Sequence, residues 1–194
     1  MFLTKMKLNA LKKRAQVLHD KRARGEQISA ADEIKAFLDL AQFYDKHAND
    51  KHYPFAKIEA LEYYRAAGHS GSSEAQYIFA QRKLELAKFW QKWAEGPLSM
   101  DIHQKIAKQC FEDAFQYLIS AENHGYPLAK RLHGLAYIHG WGVTQDKDKG
   151  FQLIVASIEE EKAWDRATTI FAELGLNSPE FFSSIMAAKN KNNK

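Results

Sequence analysis

The residues of this 194-residue chain that could do chemistry are eight histidines, a lone cysteine, paired carboxylates and two closely spaced tryptophans. A metal site needs its ligands on one face or in one turn. His47 and His52 flank Asn49-Asp50, and His133 and His139 belong to one expected helix. Neither pair has the i, i+4 spacing with an intervening glutamate that a helical zinc site uses. A separation of six residues sets 133 and 139 well apart around a helix. Cys110 cannot build a cysteine-rich site alone, so no metal and no other cofactor is expected. Gly140-x-Gly142 is a two-glycine match that follows a helix, where a phosphate-cradling loop would follow a strand. The chain has no nucleophile elbow and no dinucleotide fingerprint, and Glu159-Glu160-Glu161 reads as a solvated helix end. No catalytic residue and no small-molecule substrate follow from this inventory.

Trp90 and Trp93 are more individual. They stand three apart on one helix face with Leu86 and Phe89 nearby, in a segment ending at Gly96-Pro97. Glycine and proline together stop a helix, and Ser99 or Asp101 is placed to cap its restart. Tryptophan is enriched at binding hot spots because it buries a large area with few rotors. A projecting, partner-binding hairpin is one reading; packing of both rings against longer neighbouring helices is the other.

The elements that would position these groups are helical. Alanine, lysine, leucine and glutamate are the commonest residues and valine and threonine are scarce. Charge is unevenly spread. Residues 1–24 carry eight Lys/Arg against Asp20, a net +7; residues 189–194 add +3; and 25–188 hold −6, within an overall +4. A basic arm can meet nucleic acid, an acidic membrane surface or an acidic protein. Phe2 is the only Phe, Tyr or Trp before Phe37, too few stacking platforms for nucleic acid. Leu8, Leu11, Ala15 and Leu18 form a stripe expected to dock as a cap. The lone cysteine, the lack of an 18-residue apolar run and the interrupted Met1–Leu11 segment point to a cytoplasmic protein.

An internal repeat organises the rest. Small residues at 60, 67, 71, 75 and 80 return at 114, 121, 125, 129 and 134, and Tyr63 matches Tyr117. A further step of 36 from Ala114 reaches Gly150-Phe-Gln-Leu-Ile-Val-Ala156. Each unit reads as two helices. The clearest pair runs from Ala129 to about His139 and from about Lys147 to Glu161, joined by Gly140-Trp-Gly142-Val143 and capped by Asp146. A closing helix is expected from Ser178-Pro179, with Phe182, Ile185 and Met186 as its buried stripe.

Ala129, Gly134, Tyr137, Gly140, Gly142, Val143, Asp146 and Lys149, in that order, resemble the Sel-one-like repeat family, a relative of the tetratricopeptide repeats. Ala60, Tyr63, Tyr64, Ala67, Gly71 and Ala75 fit the same pattern, as does Ala36–Tyr44 with Ala41 in place of glycine. The resemblance covers about 36–161. Gly150, Leu153 and Glu161 depart from it, the loop between Tyr44 and Ala60 is about three residues long for it, and the step from Ala60 to Ala114 is 18 residues longer than 36.

The resemblance implies an all-α fold: a short right-handed αα-repeat solenoid of two to three repeats within one domain. Residues 1–30 would be an N-terminal cap, 84–112 an insertion, 163–188 capping helices and 189–194 a disordered basic tail. It also implies that the first helices line a concave face, offering Gln42, Phe43, Gln76, Tyr77, Lys130 and Arg131 to a partner. The expected function is a non-enzymatic protein–protein scaffold or adaptor in a bacterial-type cytoplasm. The competing expectation is an inhibitor or immunity-type protein that neutralises a toxin or enzyme, its acidic body suiting a basic target.

Overall fold

A computed structural model describes residues 2–192. Helices α1 (Phe2–Ala23), α2 (Ala30–Lys46), α3 (Ala56–His69), α4 (Ser73–Ala94), α5 (Asp101–Asn123), α6 (Pro127–His139), α7 (Lys147–Glu160), α8 (Ala167–Glu173) and α9 (Pro179–Asn192) make it all-α, with no strand among the described residues. No described helix is long and apolar enough to cross a membrane. The chain divides into two compact units, Met1–Phe79 and Ala80–Lys194.

In the first unit α1 packs on α2 and α2 on α3. Leu8 is buried and Leu11, Ala15 and Leu18 are partly covered, so the expected capping stripe meets a neighbour. Ion pairs reinforce the contact: Arg14 reaches Asp39 at 3.0 Å and Arg22 reaches Glu33 at 2.8 Å. Glu33 is buried and also accepts the Ser70 hydroxyl at 3.0 Å, the pairing a buried carboxylate needs. Alanines 36, 41, 56, 60 and 67 are buried and keep the helices close around Leu40, Tyr44 and Tyr64. Tyr64 donates its hydroxyl to Asp45 at 2.8 Å. Residues 47–55, the long loop expected before α3, are ordered by successive turns. Asp50 accepts the His52 backbone N–H at 2.9 Å, which with the neighbouring histidines holds its carboxyl below the usual carboxylate range.

In the second unit α6 packs on both α5 and α7, and α7 on α9. Pro127 opens α6, where a missing N–H costs nothing. Gly140 closes it at φ 72°, with the Trp141 N–H returning to the Ala136 carbonyl at 2.8 Å. Asp146 caps α7 as expected, its side chain accepting the Lys149 N–H at 3.0 Å. The α6–α7 crossing is close because of Gly134 and Gly150. A Cβ at 150 would lie 2.5 Å from Ile138 Cγ1 and 2.6 Å from the Gly134 carbonyl oxygen. The glycine that departs from the repeat pattern at 150 is therefore required by this packing. Ile138, Ile154, Val155, Ile158, Ile170, Phe171, Leu176 and Ile185 form the core, each contributing roughly 1.5–3 kcal/mol by leaving water.

Two local expectations are corrected here. Phe182 is exposed, and Phe181 packs against Phe151 at 6.1 Å in its place, beside buried Ile185 and Ala188. The expected tail is partly helical: α9 continues to Asn192, and Lys189 holds its ammonium 4.0 Å above the Trp164 ring. Asn193 and Lys194, the last of that tail, lie outside the described residues.

Candidate functional site

The individual feature is the hairpin made by the second half of α4 and the first turns of α5. Gly96 and Pro97 end α4, and the Ser99 N–H returns to the Gly96 carbonyl at 3.1 Å. The cap of α5 is neither Ser99 nor Asp101. Asp101 is already the first helical residue, and the Met100 N–H donates to His103 Nδ1 at 3.3 Å. His103 is thereby fixed and buried, and it brings the two expected tryptophans together. Its ring stacks on Trp90 with centroids 5.4 Å apart and meets Trp93 edge-on at 6.1 Å. Phe89 stands edge-on to Trp90 at 5.3 Å.

This packing leaves several of the hairpin's large apolar side chains uncovered. Trp90 is partly buried, whereas Phe89, Trp93, Leu98, Met100 and Ile102 remain 44–71% exposed. Five large apolar side chains exposed within fourteen residues exceed the scattered singles normal for a protein surface. Leu98, Met100 and Ile102 were not singled out from sequence. Their signal was apolar residues persisting across a Gly-Pro break with Asp101 as their only charge.

Beside the hairpin lies an open cleft of about 830 Å³. Gln91 and Glu95 of α4, Gln104, Lys108 and Phe111 of α5, and the Gly140–Thr144 turn line it. The turn is pressed onto α5: Gly142 has φ 70°, and a Cβ there would lie 2.3 Å from the Phe111 carbonyl oxygen. Trp141 is held parallel to Phe111 at 6.1 Å and to His139 at 4.5 Å, with the Lys88 ammonium 4.0 Å from its ring centroid. Burial lowers the Lys88 pKa. Burial first, then the charges of Lys88 and Lys147, lowers that of His139. The cleft is open and mixed in charge, with Glu95, Glu112 and Lys108 among its lining residues.

The residues expected to line a concave face divide. Gln42 is exposed, and Tyr77 and Lys130 are partly buried. Tyr77 has partners of its own, and Lys130 is tied to Glu160 and, at 4.0 Å, to Glu122. Phe43, Gln76 and Arg131 are buried and leave the exposed contact set. Phe43 packs on His47 at 4.6 Å and edge-on to Tyr53 at 5.6 Å. Gln76 donates to the Gly68 carbonyl at 2.9 Å. Arg131 donates from Nε to Ser157 at 3.1 Å and from its guanidinium to Glu161.

Three of the histidines, His47, His103 and His133, are taken up in packing against aromatic neighbours. His47 lies between Phe43 and Tyr53 and faces Asp50 at 3.4 Å. His133 is buried with Nδ1 2.6 Å from the Glu122 carboxylate, and its Nε2 has no hydrogen-bond partner among the described residues. Among the described residues no group of three or more His, Cys, Asp or Glu is placed to hold a metal. Cys110 is buried, and burial pushes its thiol pKa up. No protein-family model matches the chain, and no curated protein sequence matches it.

Proposed function

We propose that this chain is a non-catalytic, Sel-one-like helical-repeat module that binds a protein partner through the α4–α5 hairpin, in the manner of a cytoplasmic scaffold or adaptor. One observation carries the reading: Phe89, Trp93, Leu98, Met100 and Ile102 are exposed together on a short segment, the first two only partly covered by ring contacts within it. Exposed apolar clusters of this kind, anchored on a ring already held by its neighbours, are what a binding hot spot requires. The adjoining cleft gives a partner helix or strand a groove beside that anchor.

The repeat assignment is supported by equivalent burial at equivalent positions. Ala60, Ala114 and Gly150 are buried; so are Tyr64, Leu118 and Ile154, and so are Ala67, Ala121 and Ser157. In the first helices of the pairs, Ala36, Ala75 and Ala129 are buried, as are Ala41, Ala80 and Gly134. The pairs α2–α3, α4–α5 and α6–α7 would be three repeats, with α1 and α8–α9 as caps. The single, buried, weakly acidic cysteine suits a reducing cytoplasm.

The test compares the intact chain with a Trp93→Ala/Leu98→Ser variant as baits in native lysate, followed by reconstitution with the purified captured protein. The reading expects one protein whose affinity falls about a hundredfold in the variant, the loss of two hot-spot side chains. A captured protein that binds both baits equally would move the site elsewhere and sink the hairpin assignment.

A further inference from the structure

The N-terminal helix presents a second surface, independent of the hairpin. At about 100° per residue, the apolar residues of α1 occupy two nearly opposite stripes. Leu8, Leu11, Ala15 and Leu18 form one, and α2 covers it. Phe2, Leu3, Met6, Ala10 and Val17 form the other, and its four large side chains are 44–78% exposed. Docking as a cap explains the first stripe and leaves the second unused.

The charge around that stripe identifies its occupant. Arg14 and Arg22 are committed to Asp39 and Glu33. Lys5 and Lys7 are exposed and project from either side of the second stripe, and exposed Lys13 lies within it. A second copy of the helix would set lysine against lysine. Nucleic acid would use the ammonium groups but has no use for Leu3, Met6 and Val17, and Phe2 alone would be left to stack. A surface that takes aliphatic side chains into an apolar layer while meeting cations at its polar boundary satisfies both features, the lysine stems lying along the boundary. We infer that the outer face of α1 lies on an anionic lipid surface, with Phe2, Leu3, Met6 and Val17 entering the acyl boundary and Lys5, Lys7 and Lys13 meeting the headgroups.

The experiment measures co-sedimentation of the full chain with vesicles of phosphatidylcholine alone and of equimolar phosphatidylcholine and phosphatidylserine. Glutamine keeps helix propensity high, so Leu3→Gln/Met6→Gln tests the apolar stripe and Lys5→Gln/Lys13→Gln the charges, with helicity followed by circular dichroism. The expected result is binding to the anionic vesicles only, weakened about tenfold or more by either pair and by added salt. Equal binding to neutral vesicles, binding unchanged in Leu3→Gln/Met6→Gln, or no vesicle binding would overturn the inference. So would tighter binding to an RNA duplex than to the anionic vesicles. Loss of vesicle binding in Trp93→Ala, with the α1 variants unaffected, would transfer the membrane contact to the hairpin and also overturn it.

Discussion

The α6–α7 pair and the end of the α4–α5 hairpin lie in the same unit and use the same kinds of residue to opposite ends. Between α6 and α7, Gly134 and Gly150 let the helices close until Ile138 and Ile154 are almost wholly buried. The polar groups at their far ends are also internally matched, Arg131 with Ser157 and Glu161, and Lys130 with Glu160. At the hairpin, His103 satisfies Trp90 and the Met100 N–H, yet five large apolar side chains stay in water. The first region shows that this chain can bury apolar surface completely where stability requires it. The exposed hairpin surface is the contrast on which the proposed binding role rests.

The comparison predicts a graded set of responses. Gly150→Val should be among the most damaging changes. Its side chain would meet Ile138 and the Gly134 carbonyl at distances no contact tolerates, and a loss of about 3 kcal/mol is expected in urea unfolding. Ile154→Ala should cost about 2–5 kcal/mol through transfer and cavity terms. Leu98→Ala, equally large in lost side chain, should change stability by less than about 0.5 kcal/mol. A stability loss at 98 comparable with that at 154 would break the comparison, because the hairpin would then be core.

Lys162 offers a smaller effect of opposite sign. It adopts φ 52°, and its neighbour Ala163 closes α7 by donating to the Ile158 carbonyl at 2.9 Å. Gly71 and Gly125 take left-handed conformations at the ends of α3 and α5, where a glycine is expected. Lys162→Gly should therefore stabilise the chain by about 0.5–1 kcal/mol, read as a raised urea midpoint.

The smallest effect is a pH dependence at His139. Its folded pKa lies below the ordinary imidazole value of about 6.5, chiefly through burial. Between those two values the unfolded chain binds the proton and the folded chain does not. The stabilisation is complete above the ordinary value and is lost as pH falls through the folded one. Unfolding measured from pH 7 downward should show a shallow loss that His139→Gln abolishes, and an unchanged slope in that variant would assign the loss to other groups.

Much of the architecture was legible because its signals are local. The run from Ala129 to Lys149 carries glycine at Gly140 and Gly142 and a cap at Asp146, each acting within a few residues. Long-range partners were not legible. Arg131 reads as a surface cation until Ser157 of α7 and Glu161 just beyond it arrive, and Gln76 until the Gly68 carbonyl arrives from α3. A one-position difference placed Phe181 inward and Phe182 outward, because the angle at which α9 meets α7 is set by tertiary packing. At the hairpin, spacing identified Trp90 and Trp93. The part played by His103 and the exposure of Leu98, Met100 and Ile102 depend on how the chain turns at Pro97.

The central claim is that the hairpin end meets another protein, and site-specific photo-crosslinking in living cells tests it directly. A benzophenone amino acid replaces Leu98 in one version and the exposed Gln152 of α7 in another. The account predicts one discrete adduct of the chain with a second protein from position 98 and none from 152. No adduct at 98, or the same adduct from both positions, would contradict it.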